Sequence, residues 1–571
     1  MTGVTSVEST ASGSKPDGVL APEGRLGSED PTTTNDPRRW FALAVLAGGL
    51  SMIVLDGTIV GVALPRIIDV LHLDLTEAQW VNSLYSMVFA ALLLFFGRIG
   101  DRIGRRTLFV VGVAIFVLGS VAAAMSGGAG TLIAARAVQG LGGAMVLPST
   151  LATVNATFRG RDRATAFGVW GAVMAGMAAV GPLLGGWLTT SFDWRWIFLV
   201  NVPIGVLVIV GTLRWVPATK SAVSARGLDV DGLLTSGIGL ALIVFGLIEG
   251  SRLGWWRPMA DFQALGLSWP GTAAISIVPV SLILGVIFLG LFILWERHRA
   301  RVHRDAILEL TLFTVPTFTW GNLTATAVAA GEFALVFVLP LYLVNALGLT
   351  IMGAGLVLAA MAVGAFISGA QARHLAERWS PVVVVIIGLV LEIVGAGAVA
   401  LLLSASLNPW AVALPMTVYG IGLGLASAQL TSTVLADIPI DRSGSASATQ
   451  STVRQVGAAL GSALAGSALA VGLGAVLPGR LAAVDGLPAT MAGTLATSTS
   501  TSAGGAIQAL QAEGTHGQLG ALGPQVTHAL AGGFADAARV SVSVAVVFLL
   551  LGLLGALRVA RAARATAASS G

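Results

Sequence analysis

The sequence predicts an all-α polytopic membrane protein, a bundle of fourteen transmembrane helices made of two six-helix halves with two spans inserted between them. Three observations predict it. Of 571 residues, 55% are hydrophobic and only 11% are charged, about half the charged share of a soluble chain. The apolar residues come in blocks of twenty or more, long enough to cross roughly 30 Å of hydrocarbon at about 1.5 Å per residue. A short loop pattern in the first half also returns 276 residues later in the second. Backbone groups cannot stay unpaired in lipid, so every span is read as a helix.

The spans fall at about 40–64, 78–98, 107–127, 131–155, 163–189, 196–216, 228–249, 271–295, 317–344, 352–372, 381–404, 409–434, 446–472 and 537–559. Residues 1–37 are rich in Ser, Thr, Gly, Pro and acids, with no apolar segment; they read as a disordered tail rather than a signal peptide. The domain plan is then 38–217 for the first six-helix half, 218–305 for the inserted pair and 306–565 for the second half. A long outer connection, 473–536, is rich in Gly, Ala, Ser and Thr. Short helices lying on the bundle and a flexible linker both remain open for it. Trp255, Trp256 and Trp269 in the 251–270 connection read as interfacial anchors.

Basic residues orient the bundle. The connections on one side hold 22 Lys and Arg and those on the other hold 6. The first side is expected to be cytoplasmic, with both termini inside a cytoplasmic membrane.

Composition also excludes whole classes. There is no cysteine, so no disulfide frame and no thiolate chemistry. The only lysines, Lys15 and Lys220, lie outside any GxxxxGK[ST] frame, so no phosphate-binding loop and no built-in ATPase is expected. All six histidines lie outside the spans drawn above; no metal cluster and no nucleophile–base set can be assembled, and an enzyme is not expected. No cofactor and no nucleic-acid partner is expected. The expected partners are membrane lipid and a lipophilic small molecule.

Against this apolar background, a few ionisable residues stand inside spans. The stretch "SMIVLDGTIVGVALP" carries Asp56, at a cost of roughly 2.5–3.5 kcal/mol on an insertion scale. Glu332 and Glu392 fall mid-span in spans nine and eleven, and Arg136 falls in span four. Intramembrane ionisable residues mark proton relays or substrate paths. A carboxyl whose surroundings alternate between wet and dry can take up and release a proton. Asp56 and Glu332 would set one acid in each half, facing across a cavity. Tyr85, Gln139, Trp170, Asn322 and Tyr419 are the polar and aromatic residues that could line it.

The repeat rests on two loops. "GRIGDRIGRR" starts at Gly97 and "RHLAERWSP" starts at Arg373. Ile99 aligns with Leu375, Gly100 with Ala376, Asp101 with Glu377 and Arg102 with Arg378. Such internal repeats are a signature of secondary transporters, whose substrate site lies at the repeat interface.

These residues resemble the major facilitator superfamily, and within it the fourteen-span drug:proton antiporters, over nearly all of residues 38–560. "GRIGDRIGRR" is similar to that family's loop between spans two and three. The resemblance assigns gating to Gly97, Asp101, Arg102, Gly104 and Arg105, a latch on the outward-open state; topogenic charge alone is the other reading. "RAVQGLGGA" (136–144) resembles the family's arginine motif, which implies a part for Arg136 in proton coupling; snorkelling of Arg136 to the outer interface is the alternative. "GMAAVGPLLGG" (176–186) resembles the antiporter motif and implies a hinge at Gly176, Gly181, Pro182, Gly185 and Gly186, with ordinary small-residue packing beside it. "WRWIFLVNVPIG" (194–205) and "RQVGAALG" (454–461) match the fourteen-span branch, and the first reads as structural. The opening stretch resembles the branch's first-span motif, with Gly61 in place of its usual Asn.

The resemblance implies a major facilitator fold acting as a monomer, and proton-coupled export of hydrophobic or cationic drugs by alternating access, with the proton as coupling ion. The competing readings are a lipid or lipophile exporter and a facilitator or importer on the same fold. A potential of 100 mV supplies about 2.3 kcal/mol per charge moved, roughly a fifty-fold gradient, so no ATP is needed.

Overall fold

In the computed structural model, the described residues run from Arg38 to Ser570, apart from 159, 219–228, 265, 303, 305, 440 and 441. The tail 1–37, read above as disordered, lies outside them. So do the side chains of Asp101, of Trp170 and of several of its neighbours.

The helices are α1 (Arg38–Leu71), α2 (Leu75–Ile103), α3 (Arg105–Ala124), α4 (Ala129–Thr157), α5 (Gly160–Ser191), α6 (Trp196–Trp215), α7 (Val230–Leu253), α8 (Ile277–Arg301), α9 (Pro316–Leu341), α10 (Ile351–Trp379), α11 (Pro381–Leu402), α12 (Ala413–Leu435), α13 (Ser443–Ala482), α14 (Ala489–Thr501), α15 (Gly505–Glu513) and α16 (Gly523–Ser570). Thirteen helical segments have the length and composition to cross a membrane. The 32-residue α5 makes the fourteenth span, so the span count read from the sequence agrees with the structure. Strands β1 (Phe262–Ala264) and β2 (Leu267–Trp269) form a small antiparallel hairpin between α7 and α8.

Local chemistry sets the helix ends. Asp74 accepts from Glu77 N at 2.7 Å while Glu77 accepts from Asp74 N at 2.9 Å, a reciprocal cap that starts α2. Pro316 sits in the first turn of α9, where its missing N–H costs nothing.

The two halves repeat one packing pattern. In the first, α1 packs on α5 and α6, and α4 packs on α2 and α3. In the second, α9 packs on α13 and α16, and α12 packs on α10 and α11. The repeat extends to single hydrogen bonds. Gly104 has φ 105° and donates to Gly100 O at 3.0 Å; 276 residues on, Ser380 has φ 89° and donates to Ala376 O at 2.9 Å. The turn needs a positive φ, which glycine adopts freely and serine does at a cost.

The halves meet along two seams, α5 on α10 and α2 on α13, with α1 against α9 at the centre. Small residues set these approaches. A Cβ on Gly61 would lie 2.7 Å from Val336 Cγ1, and one on Gly355 would lie 2.6 Å from Pro182 O. Ser83 and Ser462 hydroxyls pair across the α2–α13 seam at 2.9 Å.

The inserted pair packs α7 on α8, and α7 lies against both α2 and α13. Leu240, Val244 and Ile248 share a core there with Met87, Ala90, Ala459 and Ala463. Trp80 Nε1 donates to Glu249 Oε1 at 2.9 Å, and the Ser467 hydroxyl donates to Leu247 O.

The long outer connection contains docked short helices. α13 continues to Ala482, and α14 and α15 follow. Asn345 Nδ2 donates to Ala503 O at 2.8 Å, Gln508 Nε2 to Val344 O at 2.9 Å and Gln511 Nε2 to Ala346 O at 3.3 Å. All three hold the π-helical turn Tyr342–Ala346 at the end of α9.

Candidate functional site: a buried ion pair beside the central pocket

Asp56 is fully buried in α1, and Arg136 in α4 is 1% exposed. The two form an ion pair, Arg136 Nη1 to Asp56 Oδ2. Snorkelling is thereby overturned: the guanidinium points into the helix bundle, where a carboxylate compensates its charge. The rest of its donors are also placed. Arg136 Nε donates to Val81 O at 3.2 Å and Nη1 to Gln139 Oε1 at 2.9 Å. Its guanidinium lies 4.2 Å from the Tyr85 ring centroid, a cation–π distance.

Gln139 stands one turn after Arg136 on the same face of α4. Its amide donates to Asp56 Oδ1 and to Ser120 Oγ, each at 2.9 Å. Asn201 of α6 donates to the same two acceptors at 3.2 Å. Side chains of α4 and α6 therefore donate to one carboxylate of α1, and Ser120 of α3 accepts from two of the same donors. A charge this deep is tolerated only when paired and hydrogen-bonded.

Asn201 and Ser120 are absent from the residues singled out in the sequence. Asn201 lies in "WRWIFLVNVPIG", read above as structural for its aromatics and proline; the structure adds a hydrogen bond from this motif to Asp56. The available signal was a lone carboxamide in an apolar run, which needs a buried partner.

The glycines of 176–186 sit beside this centre. A Cβ on Gly181 would collide with the Thr58 hydroxyl, and one on Gly185 would lie 2.9 Å from Ile59 O. Both bring α5 onto α1 within a turn of Asp56. Gly186 brings α5 onto α10, where an added Cβ would stand 3.1 Å from Met352 Cα; one on Gly176 would lie 3.8 Å from the Phe366 ring. Pro182 is buried between them.

A small pocket opens between the halves. Its lining comes from Gly57, Gly61, Asn82, Tyr85, Ser86 and Arg136 on one side, and from Phe333, Val336, Phe337 and Ser462 on the other. Tyr85 and Arg136 therefore face the pocket with the ion pair behind them. The other lining candidates sit elsewhere. Gln139 is inside the network, and Asn322 is buried and donates to Phe318 O of its own helix at 2.8 Å. Tyr419 is buried inside the second half, and the side chain of Trp170 is outside the described residues.

The 97–106 loop uses its arginines as ties. Arg98 donates to Ala306 O at 2.9 Å, Arg105 to Ala152 O at 3.1 Å and Arg106 to Leu213 O. Arg102 is exposed, and a Cβ on Gly97 would lie 3.7 Å from Pro148. In the second copy, Glu377 pairs with Arg373 on the surface at 3.0 Å.

Glu332 and Glu392 are buried in the second half. They are not joined to the Asp56 network by any hydrogen bond among the described residues. No group of three or more metal-ligating side chains occurs among the described residues.

A buried acid–arginine pair beside a pocket, between two repeated six-helix halves, defines a secondary membrane transporter. The chain belongs to the Major Facilitator Superfamily, whose profile matches residues 46–462. Drug resistance and efflux proteins are among its relatives. It is 33% identical to puromycin resistance protein pur8 of Streptomyces alboniger, over 79% of this chain and 85% of that one. It is 32% identical to the multidrug efflux pump LfrA of Mycolicibacterium smegmatis, over 76% and 82%. It is 31% identical to the probable actinorhodin transporter of Streptomyces coelicolor, over 80% and 78%. The fold matches a bacterial homolog of the human lysosomal transporter Spinster with TM-score 0.58 and 16% identity, covering 92% of this chain and 98% of that one. The resemblance to the efflux branch, and the reading as a transporter rather than an enzyme, are borne out.

Proposed function

We propose that the protein is a proton-coupled antiporter that exports hydrophobic or cationic drugs across the cytoplasmic membrane, with its arginine-rich face and both termini inside. The observation that carries this is the Asp56–Arg136 pair on the wall of the central pocket. Protonating Asp56 removes the charge that holds Arg136. The guanidinium then has only the Gln139 and Val81 oxygens and the Tyr85 ring, and its charge turns toward the pocket. Deprotonation restores the pair. A proton and a cationic substrate thus cannot both be stably held, which is the exclusion that exchange requires.

In this reading the 97–106 loop latches the arginine-rich face, and the α1–α5–α10 glycine contacts are the hinge. Glu332 and Glu392 supply further acids in the second half. The related resistance proteins support the substrate class.

The test is drug-driven proton movement in proteoliposomes, native protein against Asp56→Asn. An imposed pH difference should drive dye export in the native protein, and added drug should release protons. Both signals should vanish in folded Asp56→Asn. Normal transport by that variant would remove Asp56 from coupling, and no proton-linked flux in the native protein would overturn antiport.

A further inference from the structure

The stretch 306–309, between α8 and α9, is tied to three parts of the molecule on the arginine-rich face. Arg98 of α2 donates to Ala306 O at 2.9 Å. Leu308 N donates to Glu296 Oε2 of α8 at 3.4 Å. Glu309 accepts from Ser445 Oγ at 2.9 Å and pairs with Arg442 at 3.3 Å, at the start of α13. The stretch thus joins the first half, the inserted pair and the second half, with Ile307 buried between the ties.

The middle tie rests on a buried acid pair. Glu296 is fully buried, and Asp229 and Arg299 are 4% and 5% exposed. Asp229 caps the first turn of α7: its Oδ1 accepts from Gly232 N at 2.9 Å and from Trp295 Nε1 at 2.8 Å. Arg299 Nε stands 3.2 Å from Asp229 Oδ2. The Asp229 and Glu296 carboxyls lie within hydrogen-bonding reach of each other. They crowd one glycine: a Cβ on Gly232 would stand 2.7 Å from Asp229 Oδ2 and 2.8 Å from Glu296 Oε1. Those same two oxygens have no hydrogen-bond donor.

An ionised carboxylate only accepts, so two of them face to face leave both oxygens unsatisfied. Two like charges this close in a buried site do not both persist. One proton between them supplies the missing donor, removes the repulsion and, with Arg299 beside them, leaves the group neutral. A metal ion would ask for more oxygen ligands than these two and would stand against the guanidinium.

Among the described residues, few other charges surround the pair. Asp229 and Arg299 are the charged groups that act on Glu296. Asp231 on α7 and Arg297 on α8 are exposed, and His298 is exposed beside the Trp295 ring at 5.8 Å. From α2, Arg98 is bound to Ala306 O; at the start of α13, Arg442 is paired with Glu309.

We propose that Asp229 and Glu296 share one proton and with it form a clasp on residues 306–309, so that the pH on the arginine-rich face sets how firmly the inserted pair holds the connection into the second half. In the protonated pair one carboxyl donates to the other, and Glu296 Oε2 stays aimed at Leu308. As the pH rises, the O–H bond breaks and the proton leaves to water on that face. The two carboxylates then repel, Glu296 turns away and the Leu308 tie is lost. The stretch is loosened where Arg98 fastens the 97–106 loop to it. Lowering the pH reverses each step. The clasp does not depend on antiport, since it needs neither substrate nor gradient.

The test is hydrogen–deuterium exchange of the full chain in detergent, read on the 302–315 segment from about pH 5 to about pH 9, native protein against Glu296→Gln. The variant carries a permanent donor toward Asp229 and keeps an acceptor for Leu308, so its clasp stays closed at every pH. Taking the ratio of the two proteins cancels the intrinsic pH dependence of exchange and the titration of His298. The ratio of native to variant exchange should be near one at the acid end and rise roughly tenfold or more toward the alkaline end, the effect of two acids coupled by more than about one pK unit. A ratio that is flat with pH, at whatever value, would reduce Glu296 to packing and overturn the proposal. Glu296→Leu removes the clasp and should exchange fast in this segment at every pH; protection equal to that of the native protein at acid pH would also overturn it. If Glu296→Gln does not fold, Asp229→Asn supplies the donor from the other side, and a flat ratio there has the same meaning.

Discussion

At Asp56 and Arg136, burial has removed every cheap option. Each is shielded from water, and each depends on the other for charge balance. Breaking a buried pair by removing one partner costs about 3–5 kcal/mol. Asp56→Asn should therefore lower the stability of the solubilised protein by about that much, and Arg136→Gln likewise. The double variant should recover part of the loss, a coupling that a double-mutant cycle of thermal unfolding measures. Asn201→Leu should keep the ion pair and shift the pH profile of transport, since it withdraws one donor from Asp56 Oδ1. An unchanged profile would reduce Asn201 to packing. A different kind of residue-scale cost sits at Ser380, whose φ of 89° is unfavourable for a side chain. Ser380→Gly should stabilise the protein by about 1 kcal/mol or more, and Gly104→Ala should destabilise it by about 1–3 kcal/mol. Thermal unfolding in detergent checks both.

Among the elements, the α1–α5 contact is the least tolerant of bulk. Gly181 and Gly185 leave no room for a methyl group against Thr58 and Ile59. Gly181→Val should separate the two helices next to Asp56 and abolish transport, with loss of folded protein as its other readout; Gly176→Ala, whose Cβ would make an ordinary van der Waals contact at 3.8 Å, should be nearly silent. The helices themselves were legible in the sequence because length and hydropathy fix a membrane span almost alone. Their ends were less so. The last span was expected at 537–559 and the helix runs Gly523–Ser570, because a helix can continue past the apolar stretch into water. The outer connection was ambiguous for the same reason: Gly, Ala, Ser and Thr carry no strong pattern. Tertiary hydrogen bonds from Asn345, Gln508 and Gln511 hold α14 and α15 in place, and those partners lie more than 150 residues apart along the chain.

For the whole molecule, the repeat was visible as two loops and proves to extend to the packing of the helices and to the matched turn hydrogen bonds of Gly104 and Ser380. Asp56 and Arg136 stood out because charge in lipid is conspicuous. Asn201 and Ser120 did not, because an amide or hydroxyl in an apolar span is common, and only the fold shows that α6 brings Asn201 to the Asp56 carboxylate and α3 brings Ser120 to the amides that donate to it. The opposite holds for the lining residues: Tyr85 and Gln139 look alike as polar points in spans, yet one faces the pocket and the other is enclosed behind it.

The inserted pair gives the molecule a front and a back. Its two seams would be equivalent by the internal two-fold, but α7 lies across α2 and α13 and nothing comparable lies across α5 and α10 among the described residues. In a bilayer, the first seam is walled off by protein over the height of α7 while the second borders acyl chains directly. A lipid-dissolved molecule diffusing in the plane of the membrane meets the boundary between the halves on one flank only.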